Sequence, residues 1–110
     1  MKNKVVIVVG GSKGIGKGIV DAFTDLGAIV HSLSRDNCDI TNPDQIDSYF
    51  DKLDNVDILI NNAAINYCKP IEEISLNEWN SVIDTNLTSY FYIIKKCLPL
   101  MKGGSKIVNV

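Results

Sequence analysis

The sequence has no long hydrophobic run, and its main apolar stretches, Val5–Val9 and Ile58–Ile60, are short. A membrane-spanning helix needs about 20 apolar residues, so neither stretch predicts contact with a bilayer. The basic start, MKNK, leads into valines and glycines without the apolar core and cleavage site of a signal peptide. The sequence therefore predicts a protein of the cytoplasm.

Strong charge and paired cysteines are also missing. A formal net charge of −2 gives no electrostatic reason to expect nucleic acid or an anionic membrane as a partner. Cys38, Cys68 and Cys97 are odd in number and are spaced for neither a disulfide framework nor a zinc site. We therefore expect free thiols in a reducing compartment and no metal.

The chain of 110 residues, 45% of them hydrophobic, is long enough to form one domain with a real core. Apolar runs that suit buried strands alternate with segments in which apolar residues recur at helical spacing. The strands are predicted at Lys4–Val9, Ala28–Leu33, Val56–Ile60 and Lys106–Val110. This alternation predicts an α/β fold, a doubly wound parallel sheet with helices on both faces, over residues 1–110.

Three helices are predicted between these strands. The first covers Gly14–Leu26 and ends at Gly27, a residue typical of helix C-termini. The second begins at Pro43, with Asn42 as its N-cap. The third covers Leu76–Leu98 and begins with the capping box Ser75-Leu76-Asn77-Glu78.

The segment VVGGSKGIG places glycines between the first strand and the first helix. A helix N-terminus offers free N–H groups and the positive end of the helix dipole, which suits a pyrophosphate. Gly10, Gly14 and Gly16 are expected to keep side chains out of the way of that group. The segment therefore predicts a dinucleotide-binding βαβ unit.

Several motifs together resemble the short-chain dehydrogenase/reductase family. Its glycine motif, T-G-x-x-x-G-x-G, is matched from Val9 to Gly16, with Val9 in place of threonine. Its N-N-A-G motif is matched by Asn61-Asn62-Ala63-Ala64, and its helix asparagine by Asn86. The segment from Leu98 to Val110 resembles the family's approach to its catalytic serine.

The resemblance implies hydride transfer between a nicotinamide cofactor and a small carbonyl or alcohol substrate. It implies a catalytic, water-supporting role for Asn86, and it places the cofactor against the glycine turn and the ends of the next strands. The cofactor-binding residues predicted in this way are Gly10, Ser12, Lys13, Gly14, Ile15, Gly16, Arg35, Asp39, Ile40, Asn62, Ala63 and Ala64.

The chain departs from the family between Arg35 and Asp39, where only three residues stand. The family has a helix and a third strand in this region. Asp39-Ile40 resembles the acidic and apolar pair that contacts the adenine at the end of that strand. We therefore expect a compact variant whose sheet has four full strands, with at most a stub of a strand at its edge.

The end of the second strand bears on the choice of cofactor. Arg35 could pair with the 2′-phosphate of NADP, and Lys13 could approach the same group. Asp36 instead favours NAD, because a carboxylate there could accept a hydrogen bond from the ribose 2′-hydroxyl of NAD. The sequence favours NADP over NAD.

The family's catalytic serine and its Tyr-x-x-x-Lys pair are expected after Val110, so this chain is predicted to be inactive alone. Tyr92 and Lys96 have the right spacing, but they share the helix of Asn86 and are interpreted as structural. The chain is then the cofactor-binding half of a reductase, as a truncated form. The alternative is a non-catalytic dinucleotide-binding module or sensor, or a degenerate gene product.

The helix predicted over residues 76–98 also suggests a partner. Leu87, Phe91, Ile94 and Leu98 form one apolar stripe along it. In the family such a helix commonly packs between subunits, so the resemblance implies a homo-oligomer formed through this helix.

Overall fold

The computed structural model describes all 110 residues and contains one parallel sheet of four strands. The strands are β1 (Val5–Val9), β2 (Ile29–Leu33), β3 (Ile58–Asn61) and β4 (Lys106–Asn109). The helices are α1 (Gly14–Asp25), α2 (Pro43–Phe50), α3 (Leu76–Ile83) and α4 (Ser89–Cys97). The α/β fold predicted from the alternating pattern is therefore confirmed.

The strands lie in the order β2-β1-β3-β4, and every pair is parallel. In register, Val6 of β1 lies between Val30 of β2 and Ile58 of β3. No strand forms between β2 and α2, where residues 34–42 make the whole connection. The sheet therefore has four full strands, as expected from the shortened segment after Arg35.

Two hydrophobic layers lie on opposite faces of the sheet. On one face, alternate residues of β1 and β3 pack with Ile46 and Phe50 of α2 and with Ile93 of α4. On the other face, Val6, Val8 and Ile60 pack against one side of α1. Strands buried on both faces need apolar residues at successive positions, which explains the unbroken run VVIVV.

The predicted helix N-termini of α2 and α3 are formed by side-chain caps. Asn42 Oδ1 accepts hydrogen bonds from the backbone of Asp44 at 3.0 Å and of Gln45 at 3.4 Å. Ser75 Oγ accepts from Glu78 N at 3.1 Å, and Glu78 Oε1 accepts from Ser75 N at 3.0 Å. Each cap satisfies backbone N–H groups that the first helical turn leaves without partners.

The single helix predicted over Leu76–Leu98 is not regular. A π-helical turn, Asp84–Thr88, separates α3 from α4, and a 3₁₀ turn, Leu98–Leu100, follows α4. A π turn accommodates an extra residue, and this one contains Asn86. The two amide atoms of Asn86 bond the backbone of Ile65, so the widened turn lies against the loop that follows β3.

The three cysteines are free thiols, with Cys38 and Cys97 buried and Cys68 exposed. Burial raises the pKa of Cys97 to about 12, so this thiol remains neutral and acts as an apolar core residue. None of the helices combines the length and the hydrophobicity that crossing a membrane requires.

Candidate functional site

A cleft with a volume of about 820 Å³ lies at the carboxyl ends of β1, β2 and β3. Ligands of open parallel sheets bind at this edge, beyond the strand ends. The cleft brings together nine of the residues predicted to bind a cofactor: Gly10, Ser12, Lys13, Arg35, Asp39, Ile40, Asn62, Ala63 and Ala64.

The N-terminus of α1 has no side-chain cap. Lys13 occupies the N-cap position with extended backbone and forms no capping hydrogen bond. The first turn of α1 contains no acidic residue. The first N–H groups of the helix therefore keep their capacity to bind an anion, and the helix dipole favours one.

The glycines of this turn serve two different purposes. A Cβ on Gly16 would lie 1.9 Å from the carbonyl oxygen of Gly10, so packing within the protein itself requires this glycine. Gly14 has a φ of +59° and nothing within 4 Å of its Cβ position. Of these two glycines, only Gly14 has open space at its Cβ position.

The end of β2 carries charged groups on the cleft. Arg35 and Asp36 are exposed there, and Lys13, from the turn after β1, is exposed on the same cleft. Arg35 forms no ion pair within the protein. The turn is held by Asn37, whose Oδ1 accepts from Ser34 N and whose Nδ2 donates to Ser32 O, both at 2.8 Å. Sequence reasoning missed Asn37, although asparagine is typical of such turns.

Asp39 is a hydrogen-bonded carboxylate that also lines the cleft. Its Oδ1 accepts hydrogen bonds from Thr41 Oγ1 at 2.7 Å and from Thr41 N at 3.0 Å. These two hydrogen bonds hold the pKa of Asp39 below its usual value, and the one from the Thr41 side chain contributes most. The charge of Arg35 lowers this pKa further. Asp39 is therefore ionised at neutral pH beside the half-buried Ile40.

The turn after β3 forms the third wall of the cleft. Asn62 Nδ2 donates to Gly10 O at 3.2 Å, which ties this turn to the one that follows β1. The hydroxyl of Tyr90 donates to Ala63 O from the opposite side. Sequence reasoning assigned no site role to Tyr90, because its helical position gave no sign of the contact.

Four of the predicted residues do not line the cleft: Gly14, Ile15, Gly16 and Asn86. Gly14 and Ile15 lie on the first turn of α1, where the Ile15 side chain is 69% exposed. Asn86 Oδ1 accepts from Ile65 N at 2.9 Å, and Asn86 Nδ2 donates to Ile65 O at 3.0 Å. The geometry therefore gives the Asn86 side chain a positioning contact with the backbone.

Tyr92 and Lys96, which match the catalytic spacing, contact α2 instead. Tyr92 Oη donates to Asp47 Oδ1 at 2.7 Å, and Lys96 Nζ lies 3.5 Å from Asp47 and 3.4 Å from Asp51. The hydrogen bond to Asp47 raises the pKa of Tyr92, whereas a catalytic phenol needs a lowered pKa. The interpretation of this pair as structural agrees with these contacts.

Comparison with known proteins adds evidence that is independent of the cleft. The model of a family described as short chain dehydrogenase matches residues 36–110. The 3-oxoacyl-[acyl-carrier-protein] reductase of Chlamydia pneumoniae is 35% identical, over 97% of this chain and 54% of the relative. The chain spans about half the length of the curated relatives it matches.

The fold has counterparts among solved structures. Aldohexose dehydrogenase from Thermoplasma acidophilum, in ligand-free form, superposes with a TM-score of 0.91 and 38% identity, over 98% of this chain and 49% of that one. A blue fluorescent protein from a metagenomic library, solved with NADPH, has a TM-score of 0.88 and 26% identity, over 98% and 55% of the two chains. A short chain dehydrogenase from Leptospira borgpetersenii, solved with NAD⁺, has a TM-score of 0.83 and 28% identity, over 91% and 46%.

The alignment also supports the compact form of this chain. The Chlamydia pneumoniae relative aligns over 135 positions, whereas this chain has 110 residues. The difference, 135 minus 110, means that the relative has at least 25 additional residues within the same span.

Proposed function

The chain belongs to the short chain dehydrogenase family, and from this premise we propose that its cleft binds a nicotinamide dinucleotide, NADP(H) in preference to NAD(H). The observation that carries the proposal is the uncapped N-terminus of α1, which begins at the edge of a cleft lined by Lys13, Arg35 and Asp39. A dinucleotide needs an anion site for its pyrophosphate and separate walls for its adenosine half. The cleft offers both kinds of surface.

Arg35 supports the preference for NADP. Its guanidinium is exposed on the cleft and forms no salt bridge in the protein, so it is available to a phosphate. An arginine can bind a phosphate through two parallel N–H donors, which adds both strength and geometric specificity. Asp36 lies beside it and would favour NAD if the ribose approached that residue instead.

We propose further that the protein acts as an oxidoreductase on a small carbonyl or alcohol substrate, with this chain as its cofactor-binding half. The bound cofactor would supply the hydride. In this chain the residues of the cleft would bind and orient the dinucleotide, and Asn86 would hold the loop after β3. The three free thiols fit a reducing compartment such as the cytoplasm.

A dinucleotide-binding module without catalysis remains a second candidate. It is supported by the cleft alone, because the uncapped N-terminus of α1 and the charged groups beside it can bind a dinucleotide without any catalytic residue. An assay of NADPH oxidation by the full-length protein, with a panel of carbonyl compounds, separates the two, because this chain alone is predicted to be inactive in either case. Turnover supports the oxidoreductase, and saturable binding without turnover supports the module.

The cofactor preference is tested with Arg35→Ala. We expect this variant to bind NADPH more weakly by about ten-fold or more, because a charge-assisted hydrogen bond is worth roughly 1.5–3 kcal/mol and 1.4 kcal/mol is about ten-fold, and to bind NADH as the wild type does. Lys17→Ala is the matched control, because it removes the same charge at a residue that pairs with Asp21 and does not line the cleft. Equal losses for NADPH and NADH in Arg35→Ala would contradict a contact with the 2′-phosphate.

A further inference from the structure

Tyr90 contacts the wall of the cleft from behind. It lies on α4, half-buried, and its hydroxyl donates to the carbonyl oxygen of Ala63. Ala63 and Ala64 line the cleft, whereas Tyr90 does not. The Ala63 carbonyl is therefore directed towards α4 and away from the cleft. Burial raises the pKa of Tyr90, so the hydroxyl stays protonated at neutral pH and remains a donor.

The direction of this carbonyl fixes the direction of the next N–H group. The chain has no cis peptide bond, and in a trans peptide the C=O and the following N–H point in opposite directions. With the Ala63 carbonyl directed at α4, the Ala64 N–H faces the cleft. That N–H has no hydrogen-bond partner in the protein, and Ala64 is exposed.

The rest of the turn is held at both ends. A Cβ on Gly10 would lie 2.8 Å from Ala63 N and Cα, so the turns after β1 and β3 touch at this point. On the other side, Asn86 bonds both backbone groups of Ile65. The Ala63–Ala64 peptide lies between these two points, and the Tyr90 hydroxyl is the one group bonded to it.

We propose that Tyr90 is a positioning residue, which orients the Ala63–Ala64 peptide so that the Ala64 N–H donates a hydrogen bond to an acceptor oxygen of the bound dinucleotide. This inference rests on the function proposed above. It predicts that removing the Tyr90 hydroxyl weakens the binding of NADPH and of NADH equally. The reason is that the peptide lies on the wall after β3 and not at the end of β2, where Arg35 is placed.

Tyr90→Phe tests the proposal, with Tyr92→Phe as the matched control. Both tyrosines lie on α4 and each hydroxyl donates one hydrogen bond, but Tyr92 bonds Asp47 of α2. We expect Tyr90→Phe to raise the Kd of NADPH and of NADH by about five-fold each, within the range that the loss of one hydrogen bond produces. Tyr92→Phe should leave both Kd values within two-fold of wild type, roughly the effect of a few tenths of a kcal/mol.

A second readout follows the peptide itself in the absence of cofactor. In ¹⁵N-labelled protein, Tyr90→Phe should shift the Ala64 amide resonance, and Tyr92→Phe should leave it in place. An unmoved Ala64 amide in Tyr90→Phe, or wild-type Kd values for both cofactors, would overturn the proposal. Failure of the wild-type chain to bind either cofactor would instead overturn the proposed function, while the amide shift would still decide the role of Tyr90 in orienting the peptide.

Discussion

Two glycines of α1 are expected to respond to the same substitution in opposite ways. A Cβ on Gly16 would overlap the Gly10 carbonyl at 1.9 Å, while a Cβ on Gly18 would meet nothing within 4 Å. We expect Gly16→Ala to lower the free energy of unfolding by at least about 2 kcal/mol, because the turn after β1 has to move. Gly18→Ala should raise the free energy of unfolding by about 0.5–1 kcal/mol, because alanine is the better helix former.

Urea unfolding of the two variants checks this pair of predictions, with wild type as the reference. The two substitutions are chemically identical and lie two residues apart on one helix, so helix propensity acts on both alike. A Gly16→Ala variant as stable as wild type would show that α1 does not pack this closely against the first turn.

Asp57 is expected to make stability depend on acid pH. Its Oδ2 accepts from Val5 N at 2.8 Å and from Asn55 Nδ2 at 3.0 Å. The backbone hydrogen bond from Val5, with smaller contributions from Asn55, Lys4 and Lys102, lowers the pKa of Asp57. A lowered pKa stabilises the folded state above the unfolded pKa of about 4, and this stabilisation is lost as pH falls through the folded value.

We therefore expect Asp57→Asn to be less stable than wild type at pH 7, and the difference to shrink steadily below pH 4. Urea midpoints measured from pH 7 to pH 2.5 give the comparison. Asp54→Asn is the control, because Asp54 is exposed and has no hydrogen bond or ion pair within the protein. A difference between Asp57→Asn and wild type that stays constant with pH would contradict the assignment.

At the residue scale, the sequence predicted contacts that follow from local chain order. The end of a buried strand, followed by glycines and a helix, is enough to place Gly10 and Lys13 at the cleft. Tyr90 and Asn37 could not be placed in this way. Tyr90 reaches Ala63 from 27 positions away, and that contact depends on how α4 is rotated against the sheet.

The N-terminus of α3 offers a test at the scale of one element. Ser75 closes the capping box, and its Oγ is the acceptor for Glu78 N. Ser75→Ala should lower the free energy of unfolding by about 1 kcal/mol, the usual effect of losing such a cap. Ser48→Ala, on the exposed side of α2, is the control and should change it by less than about 0.5 kcal/mol.

Chemical denaturation of both serine variants measures the difference. If Ser75→Ala and Ser48→Ala were equally stable, the capping box would contribute nothing to the fold. An intermediate result is informative too, because a loss of well under 1 kcal/mol would mean that water replaces the cap at this exposed helix end.

At the element scale, helix starts were predictable and the interior of the long helix was not. Asn42 and Ser75 cap by hydrogen bonds to residues two or three positions away, so the signal lies in a few adjacent letters. The π turn at Asp84–Thr88 has no comparable local signature. It coincides with the contact between Asn86 and Ile65, which forms only when the loop after β3 is in place.

At the scale of the whole molecule, an exposed apolar face along α4 and the turns on either side of it predicts self-association. Leu87, Phe91 and Leu98 are 63%, 65% and 55% exposed, whereas Ile94, predicted for the same stripe, packs against the core. Exposed apolar residues that adjoin one another mark sites of protein association. Phe91→Lys should shift the chain towards the monomer in sedimentation velocity.

The control for this prediction is Leu26→Lys, which adds the same charge at an apolar residue 59% exposed at the end of α1. It should leave the sedimentation profile of the wild-type chain unchanged. A wild-type chain that is monomeric at high concentration would contradict the prediction, as would equal effects of the two lysine variants.

The arrangement of the sheet was predictable because it follows from a few general rules. Buried β-branched runs that alternate with helices allow little other than a parallel sheet with right-handed crossovers. The limit of four full strands followed from a count of residues, since the chain between Arg35 and Asp39 is too short for a full strand. The shape of the cleft depends on long-range contacts, such as that of Asn62 with Gly10, and required the structure.

The central claim is that the cleft at the carboxyl ends of the strands binds a dinucleotide, and a titration of the ¹⁵N-labelled chain with NADPH tests it most directly. The account predicts saturable shifts of amide resonances in three segments, residues 10–16, 35–40 and 62–64, with a weaker response to NADH. Shifts confined to other surfaces, or none up to millimolar NADPH, would contradict the assignment of this cleft.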